Sequence, residues 1–423
     1  MKYGINTLDD VELAGRTVLC RVDINSPLHP ATGGLADTTR LRGSAPTVRE
    51  LAEAGARVVL LAHQGGDLEY HNYASTEPHA AVLSDLVGRP VAFVDDVCGP
   101  AARAAIAGLA DGEILLLDNV RFVAEEMTLF ETKLKLSPQE QARTLVVRKL
   151  TPLADLYVCD AFAALHRSQP SLVGFEELLP SAMGRLFERE YSALSRLRQD
   201  PARPCVFVLG GAKIQEAFPM MSAALADEVV DSVLACGLVA QVMLLAAGHD
   251  LGEPSTSFIR DAHLDAFVDE SREILARYGD KVVLPLDLAY VADGRRREVA
   301  LAELPVDELL CDLGHDTVTV YRDRLAGAGT VFANGPAGVF EKAESEYGTR
   351  SLWEAMAECG GYTALGGGDS IAAMNRYELR DRFDYVCTAG GGMVKFLSGE
   401  RLPVVEALKE SAARFAPSRA PGS

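Results

Sequence analysis

Short apolar runs alternate with longer helical patterns along the whole chain. The runs fall at 18–24, 58–62, 114–117, 156–159, 205–209, 229–235, 282–286, 330–333, 363–365 and 385–388. The intervals hold helical stretches, among them 47–54 and 138–149. Strands buried on both faces and separated by helices predict a parallel α/β architecture. Ligands of such sheets bind beyond the carboxyl ends of the strands, so the residues just after each run carry the chemistry.

Those residues differ between the two halves. In the first half the strand ends and the loops that follow carry bases: Arg21, Arg40, His63, Arg121, His166 and Arg167. In the second half they carry glycines. Leu209-Gly210-Gly211-Ala212-Lys213, Asn334-Gly335-Pro336-Ala337-Gly338, Gly366-Gly367-Gly368-Asp369-Ser370 and Ala389-Gly390-Gly391-Gly392 each follow an apolar run. A glycine triplet before a helix is either a tight turn or a ligand cradle. As a cradle it lets backbone approach the ligand and leaves the first helical N–H groups free for an anion. An aspartate beside a phosphate is repulsive without a divalent cation between them, so Asp369 points to a Mg–nucleotide. One half thus gathers an anionic substrate with arginines, and the other holds a nucleotide on glycine-rich turns.

The length of 423 residues suits two domains rather than one core. A net charge of −19 argues against nucleic acid or a polybasic membrane contact as a partner. The N-terminus lacks a signal-peptide pattern, and no apolar run is long enough to span a bilayer. The eight cysteines form no Cys-x-x-Cys pair and read as buried reduced thiols of a cytoplasmic protein. Residues 184–198 read as a charged helical connector, and the stretch from Leu402 as a helix with proline in its first turn. The tail from Ala416 has a disordered composition.

Arg21-Val22-Asp23-Ile24-Asn25, Asp37-Thr38-Thr39-Arg40, Leu117-Asp118-Asn119-Val120-Arg121-Phe122, Asp160-Ala161-Phe162 with His166-Arg167, and the four glycine turns occur in one order along the chain. In these segments the chain resembles the phosphoglycerate kinase family over nearly its full length, most closely the archaeal-type branch. The resemblance implies two doubly wound parallel-sheet, Rossmann-like domains joined by a hinge helix. The acceptor domain would span 1–178, with 403–423 returning to it; the hinge helix 179–198; and the nucleotide domain 199–402. It implies reversible phosphoryl transfer between ATP and the carboxylate of 3-phosphoglycerate, with Mg²⁺ and ATP or ADP bound. Arg21, Asp23, Asn25, Arg40, His63, Arg121, His166 and Arg167 would line the acceptor pocket. Gly210, Gly211, Lys213, Asn334, Pro336, Glu341, Gly366, Gly367, Gly368 and Ser370 would hold the nucleotide, with Glu341 on the ribose. Asp369 would hold the metal, Arg40 and Lys213 would act catalytically, and Glu190 and Thr388 would belong to hinge regions. The expected assembly is a monomer.

The chemistry suits these residue types. A carboxylate acceptor is already ionised near neutral pH, with a reference pKa of about 4, so no general base is needed. The reaction needs in-line alignment and positive charge around the transferring phosphoryl group, which Arg40 and Lys213 supply. An acyl phosphate hydrolyses readily, so a two-domain cleft that closes and excludes water is expected. The sequence also departs from the family pattern. Ala62-His63-Gln64-Gly65-Gly66 carries Gly66 where the family has an arginine, and Cys159-Asp160-Ala161-Phe162-Ala163-Ala164-Leu165 stands where the family reads Asn-Asp-Ala-Phe-Gly-Thr-Ala, with smaller losses of polarity. Ala217 stands where many members carry a second lysine. Archaeal-type members often lack that lysine too. The acceptor-side departures leave two alternatives open: phosphorylation of a different small carboxylic acid, or a catalytically weak nucleotide-binding relative.

Overall fold

The computed structural model describes residues 1–66, 73–387 and 389–416. The chain forms two compact units: Met1–Ser192 with the segment from Arg401 onward, and Ala193–Glu400.

The first unit is built on a six-stranded sheet. Its strands are β1 (Thr17–Arg21), β2 (Arg57–Leu61), β3 (Val91–Val94), β4 (Ile114–Leu117), β5 (Leu156–Cys159) and β6 (Ser181–Met183), in the order β3-β4-β2-β1-β5-β6. All pairings are parallel. Every residue of β1, β4 and β5 is buried, as expected for apolar runs covered by helices on both faces. The order reverses beside β1, whose neighbours are β2 on one side and β5 on the other. The loops after β1 and β5 therefore diverge and leave a crevice position between them.

The second unit holds β7 (Cys205–Leu209), β8 (Ser232–Ala235), β9 (Val282–Val283), β10 (Asp287–Ala292), β11 (Arg295–Ala300), β12 (Leu310–Leu313), β13 (Thr330–Asn334), β14 (Tyr362–Gly366) and β15 (Tyr385–Cys387). The main sheet runs β15-β14-β13-β7-β8-β9, all parallel. Counted from β7, this is the strand order of the dinucleotide-binding fold, with its switch point between β7 and β13. The remaining strands form an antiparallel sheet, β11-β10-β12.

Several elements differ from the sequence reading. The first helix is Thr39–Glu53, not 47–54; it runs through Pro46 and gives up one internal hydrogen bond there. The helix expected over 138–149 is two, Pro138–Gln141 and Leu145–Leu150, separated by a turn in which Thr144 Oγ1 donates to Gln141 O at 2.6 Å. The connector expected over 179–198 opens with β6, and its helix is Arg185–Gln199.

That helix is anchored firmly at its start. Asp160, at the end of β5, accepts from the N–H groups of Leu186 at 2.9 Å and Phe187 at 3.3 Å. The first-turn donors of a helix otherwise lack partners, so a buried acidic residue from another element acts as a remote cap. Arg185 N–H donates to Thr47 Oγ1 at 2.9 Å, and the Arg185 guanidinium bridges Asp9, Glu50 and Glu188. Burial pushes the Asp160 carboxyl up to about 7. Its neutral form is thus favoured by folding, and that stabilisation is lost as pH rises from about 4 towards 7. The urea midpoint of Asp160→Asn should therefore fall less between pH 5 and pH 8 than that of the wild type. Parallel pH dependences would show that Asp160 does not titrate in this way.

The C-terminal helix, Pro403–Arg414, lies on the first unit. Ser411 Oγ donates to Leu179 O at 3.1 Å, and Arg414 pairs with Glu177 at 3.0 Å.

Candidate functional site

In the first unit Arg21 ends β1, Arg40 stands in the first turn of the helix Thr39–Glu53, and the other candidate residues stand after β1, β2, β4 and β5. Val22 to Ile24, expected as strand, leave the sheet after Arg21, which frees Asp23 and Asn25 to face neighbouring loops. Asp23 is buried and its Oδ2 pairs with the Arg40 guanidinium. Its other oxygen, Oδ1, has no partner among the described residues. Asn25 Oδ1 accepts from Gly65 N–H at 3.0 Å. Arg121, buried, donates to Gly65 O and lies over the Tyr73 ring at 5.8 Å. Arg167 pairs with Glu131 at 3.6 Å. His166 is half-buried beside it.

His63 lies among these bases. Burial, followed by the charges of Arg21, Arg121, Arg40 and Arg167, holds its imidazole well below the usual histidine range. Four guanidinium groups near one neutral ring make an electropositive pocket suited to an anionic ligand. Arg21 does not itself face that pocket. It is 1% exposed, and donates to Ser171 Oγ at 3.1 Å and Val22 O at 2.7 Å, with Nη2 3.1 Å from His63 Nδ1.

Two residues that the sequence reading passed over hold these loops together. Gln64 exchanges hydrogen bonds with the Ser26 backbone at 3.0 and 2.8 Å. Asn119 Nδ2 donates to Gln64 O at 2.7 Å, and Asn119 Oδ1 accepts from Arg121 N–H at 3.0 Å. The two amides join the loops after β1, β2 and β4.

In the second unit the glycine turns after β7, β13, β14 and β15 sit on four adjacent strands. Those after β7, β13 and β14 are tied together by hydrogen bonds from backbone N–H groups. Gly210 N–H donates to Asn334 O at 2.9 Å, Gly211 N–H to Pro336 O at 2.8 Å, and Gly335 N–H to Ser370 Oγ at 2.7 Å. These contacts sort the glycines into two kinds. A Cβ on Gly210 would lie 2.7 Å from Pro336 O, and one on Gly335 only 2.1 Å from Gly210 O. Those positions need glycine so that loops can meet each other. Gly366 is likewise filled from behind, by Met393 Sδ at 2.1 Å from its virtual Cβ. Around Gly368, Gly390 and Gly391 a Cβ would meet nothing within 4 Å. These glycines are the ones that face open space.

The helix Gly368–Arg376 starts at that open position, and its first-turn N–H groups point outward from its N-terminus. Asp369 is half exposed there, and Lys213 Nζ lies 3.6 Å from its Oδ2. Ser370, expected to touch phosphate, is fully buried, and its hydroxyl serves Gly335 instead. Asn334 is buried at the end of β13, and its Nδ2 has no partner among the described residues. A small polar pocket is lined by Gly210 to Lys213, Asn334, Gly335 and Gly367 to Ser370.

An apolar cavity of about 270 Å³ adjoins it, sharing Gly211, Ala212 and Asp369. Leu238, Phe258, Leu288, Leu310 and Val339 line it, with Pro336 and the exposed Glu341 at its wall. Leu288 and Leu310 come from β10 and β12, an antiparallel insertion absent from the sequence reading. Gln241 also lines the cavity; its Nε2 donates to Leu310 O at 3.1 Å, and its Oε1 has no partner among the described residues. An apolar slot running into a polar, cationic helix N-terminus has the form of a nucleotide site, base at one end and phosphates at the other.

The two hinge residues fare differently. Glu190 is buried within Arg185–Gln199. Thr388 lies outside the described residues.

The family model for "Phosphoglycerate kinase" matches residues 8–400. The chain belongs to the phosphoglycerate kinase family. A phosphoglycerate kinase of Methanothermobacter thermautotrophicus is 42% identical over 411 residues, covering 97% of this chain and 98% of the relative. One of Halobacterium salinarum is 44% identical over 411 residues, covering 96% and 100%. The relatives at about this identity are archaeal members of the family. Among solved structures, the phosphoglycerate kinase from Pyrococcus horikoshii OT3 matches with a TM-score of 0.85 at 38% identity, covering 97% of this chain and all of that one. The structure from Coxiella burnetii matches with a TM-score of 0.82 at 28% identity. The family's fold of two parallel α/β domains is the fold of this chain. Among the described residues, no helix is long and apolar enough to cross a membrane.

Proposed function

We propose that the chain catalyses reversible phosphoryl transfer between ATP and the carboxylate of 3-phospho-D-glycerate, giving 1,3-bisphosphoglycerate. The observation that carries this reading is the gathering of Arg40, Arg121 and Arg167 about His63, with the buried Arg21 holding the ring from behind. An acceptor with two anionic groups, a phosphate and a carboxylate, is bound by such a set without a general base.

In this reading Arg121, Arg167 and His63 hold the acceptor's phosphate, and the unpartnered Asp23 Oδ1 accepts from its hydroxyl. Arg40, 40% exposed, is the cation that reaches the transferring group from the acceptor side. Lys213 reaches it from the nucleotide side. The adenine occupies the apolar cavity, Glu341 takes the ribose, and the open Gly368 N-terminus takes the phosphates. Asp369 fits a Mg²⁺ ion: it is a half-exposed carboxylate beside that N-terminus, and among the described residues no cluster of three His, Cys, Asp or Glu side chains could hold a metal without the nucleotide. Magnesium commonly takes one carboxylate, with phosphate and water completing its shell. When bound, it would neutralise phosphate charge and orient the leaving group.

The replacement of the family's arginine by Gly66, which is exposed, keeps a second acceptor in play. Acyl phosphates trapped with hydroxylamine across a panel of small carboxylic acids test the choice. We expect 3-phosphoglycerate to give the highest kcat/KM, and Gly66→Arg to tighten its binding by up to roughly 10-fold, the scale of one charge-assisted contact, with the preference unchanged. A different acid leading the panel, with Gly66→Arg moving preference back towards 3-phosphoglycerate, would overturn the proposed acceptor.

A further inference from the structure

We propose that Glu126 and Ser171 are positioning residues for the acceptor site, fixing His63 through Arg21 as the tautomer that presents an Nε2–H to the ligand. This rests on the reading of His63 as a ligand-facing group given above.

The three supporting residues are out of solvent: Arg21 is 1% exposed, Glu126 1% and Ser171 fully buried. Ser171 N–H donates to Glu126 Oε1 at 2.6 Å, and the Ser171 hydroxyl donates to Glu126 Oε2 at 2.8 Å. With its hydrogen committed there, Ser171 Oγ offers a lone pair to Arg21 Nε–H at 3.1 Å. Arg21 Nη1 is held by Val22 O at 2.7 Å. The remaining arm, Nη2, lies 3.1 Å from His63 Nδ1.

An arginine has donors only, so this contact makes His63 Nδ1 an acceptor. A neutral imidazole has one hydrogen, and it must then reside on Nε2. Burial and the four arginines exclude the doubly protonated ring. Burial pushes the Glu126 carboxyl up to about 7; above that pH the carboxylate accepts from Ser171, Ser171 Oγ accepts from Arg21, and the series of contacts ends on His63 with its hydrogen on Nε2. A buried guanidinium with Nε unpaired would have strong reason to turn. Turning it would withdraw Nη2 from Nδ1 and release the ring to either tautomer. The sequence reading gave Arg21 a direct role; its burial assigns it this indirect one.

A network that only stabilised the fold would not govern the histidine's tautomer, and this separates the two cases. The full-length chain labelled with ¹⁵N-histidine would be examined by long-range ¹H–¹⁵N correlation at pH 8, with His63 assigned by its loss in His63→Gln. The expected wild-type pattern is neutral Nε2–H. Ser171→Ala and Glu126→Gln should give a mixture including Nδ1–H and raise KM for 3-phosphoglycerate roughly 10-fold, with kcat and the nucleotide KM little changed. Ser171→Thr, which keeps the hydroxyl, should restore both readouts. Glu126→Gln keeps shape and carries the test where Ser171→Ala fails to fold. A wild-type Nδ1–H pattern, or an unchanged Nε2–H pattern and KM in the variants, overturns the proposal. A tautomer change without any response to 3-phosphoglycerate supports the relay and instead overturns the acceptor reading.

Discussion

Lys213→Ala is expected to lower kcat roughly 10²- to 10³-fold while leaving the fold intact, the scale of removing one preorganised group from a transition state that carries spread charge. The structural side of this expectation is specific. Lys213 is 64% exposed, and its one described ion pair, with Asp369, spans 3.6 Å between two exposed groups. Such a pair contributes about 0–1 kcal/mol, too little to unfold the unit. The loss should therefore fall on turnover, with the melting temperature within a few degrees of wild type. Circular dichroism melting and steady-state kinetics of the same preparation check both halves. A variant that turns over at near wild-type rate would remove Lys213 from the catalytic role.

The glycines should divide under substitution as they divide in space. Gly335→Ala is expected to destabilise the second unit by about 2 kcal/mol or more and to abolish nucleotide binding. Gly335 adopts φ +84, and its added Cβ would sit 2.1 Å from Gly210 O, so strain and overlap coincide. The overlap would prise apart the β7 and β13 loops at the switch point. Gly368→Ala has open space around its Cβ and no positive φ. Its stability should match wild type or rise slightly, because alanine favours a helix. Its affinity for Mg–ADP should nevertheless fall, since the Cβ enters the volume assigned to phosphate. Urea denaturation and isothermal titration of the two variants compare these outcomes. Equal effects on stability and binding in both would contradict the division.

Much of the architecture was legible because its strands are uniform. Ile114–Leu117, Leu156–Cys159 and Cys205–Leu209 are wholly buried and apolar, so the sequence pattern and the strand coincide to the residue. The antiparallel insertion was not, because β11 reads Arg-Arg-Arg-Glu-Val-Ala and is largely exposed. Its one available signal was Asp293-Gly294, both at positive φ, the dipeptide of a tight hairpin. The site separated along similar lines. Motif residues such as Lys213 and Asp369 lie next to their glycines in sequence, and the structure puts these two side chains 3.6 Å apart. Gln64, Asn119 and Ser171 act through hydrogen bonds that span 38, 55 and 150 residues, which no local pattern encodes. Ser370 and Arg21 are buried with their side chains bonded within the protein, which motif position alone does not show.

The central claim is that phosphate passes from a Mg–nucleotide in the second unit to a carboxylate gathered by arginines in the first. The most direct measurement is ³¹P NMR of the enzyme with Mg–ATP and 3-phosphoglycerate. The predicted result is an acyl-phosphate resonance that grows with ADP, disappears on adding hydroxylamine and is absent with Arg40→Ala. ATP converted only to ADP and inorganic phosphate, or no conversion in either direction while nucleotide still binds, would contradict it.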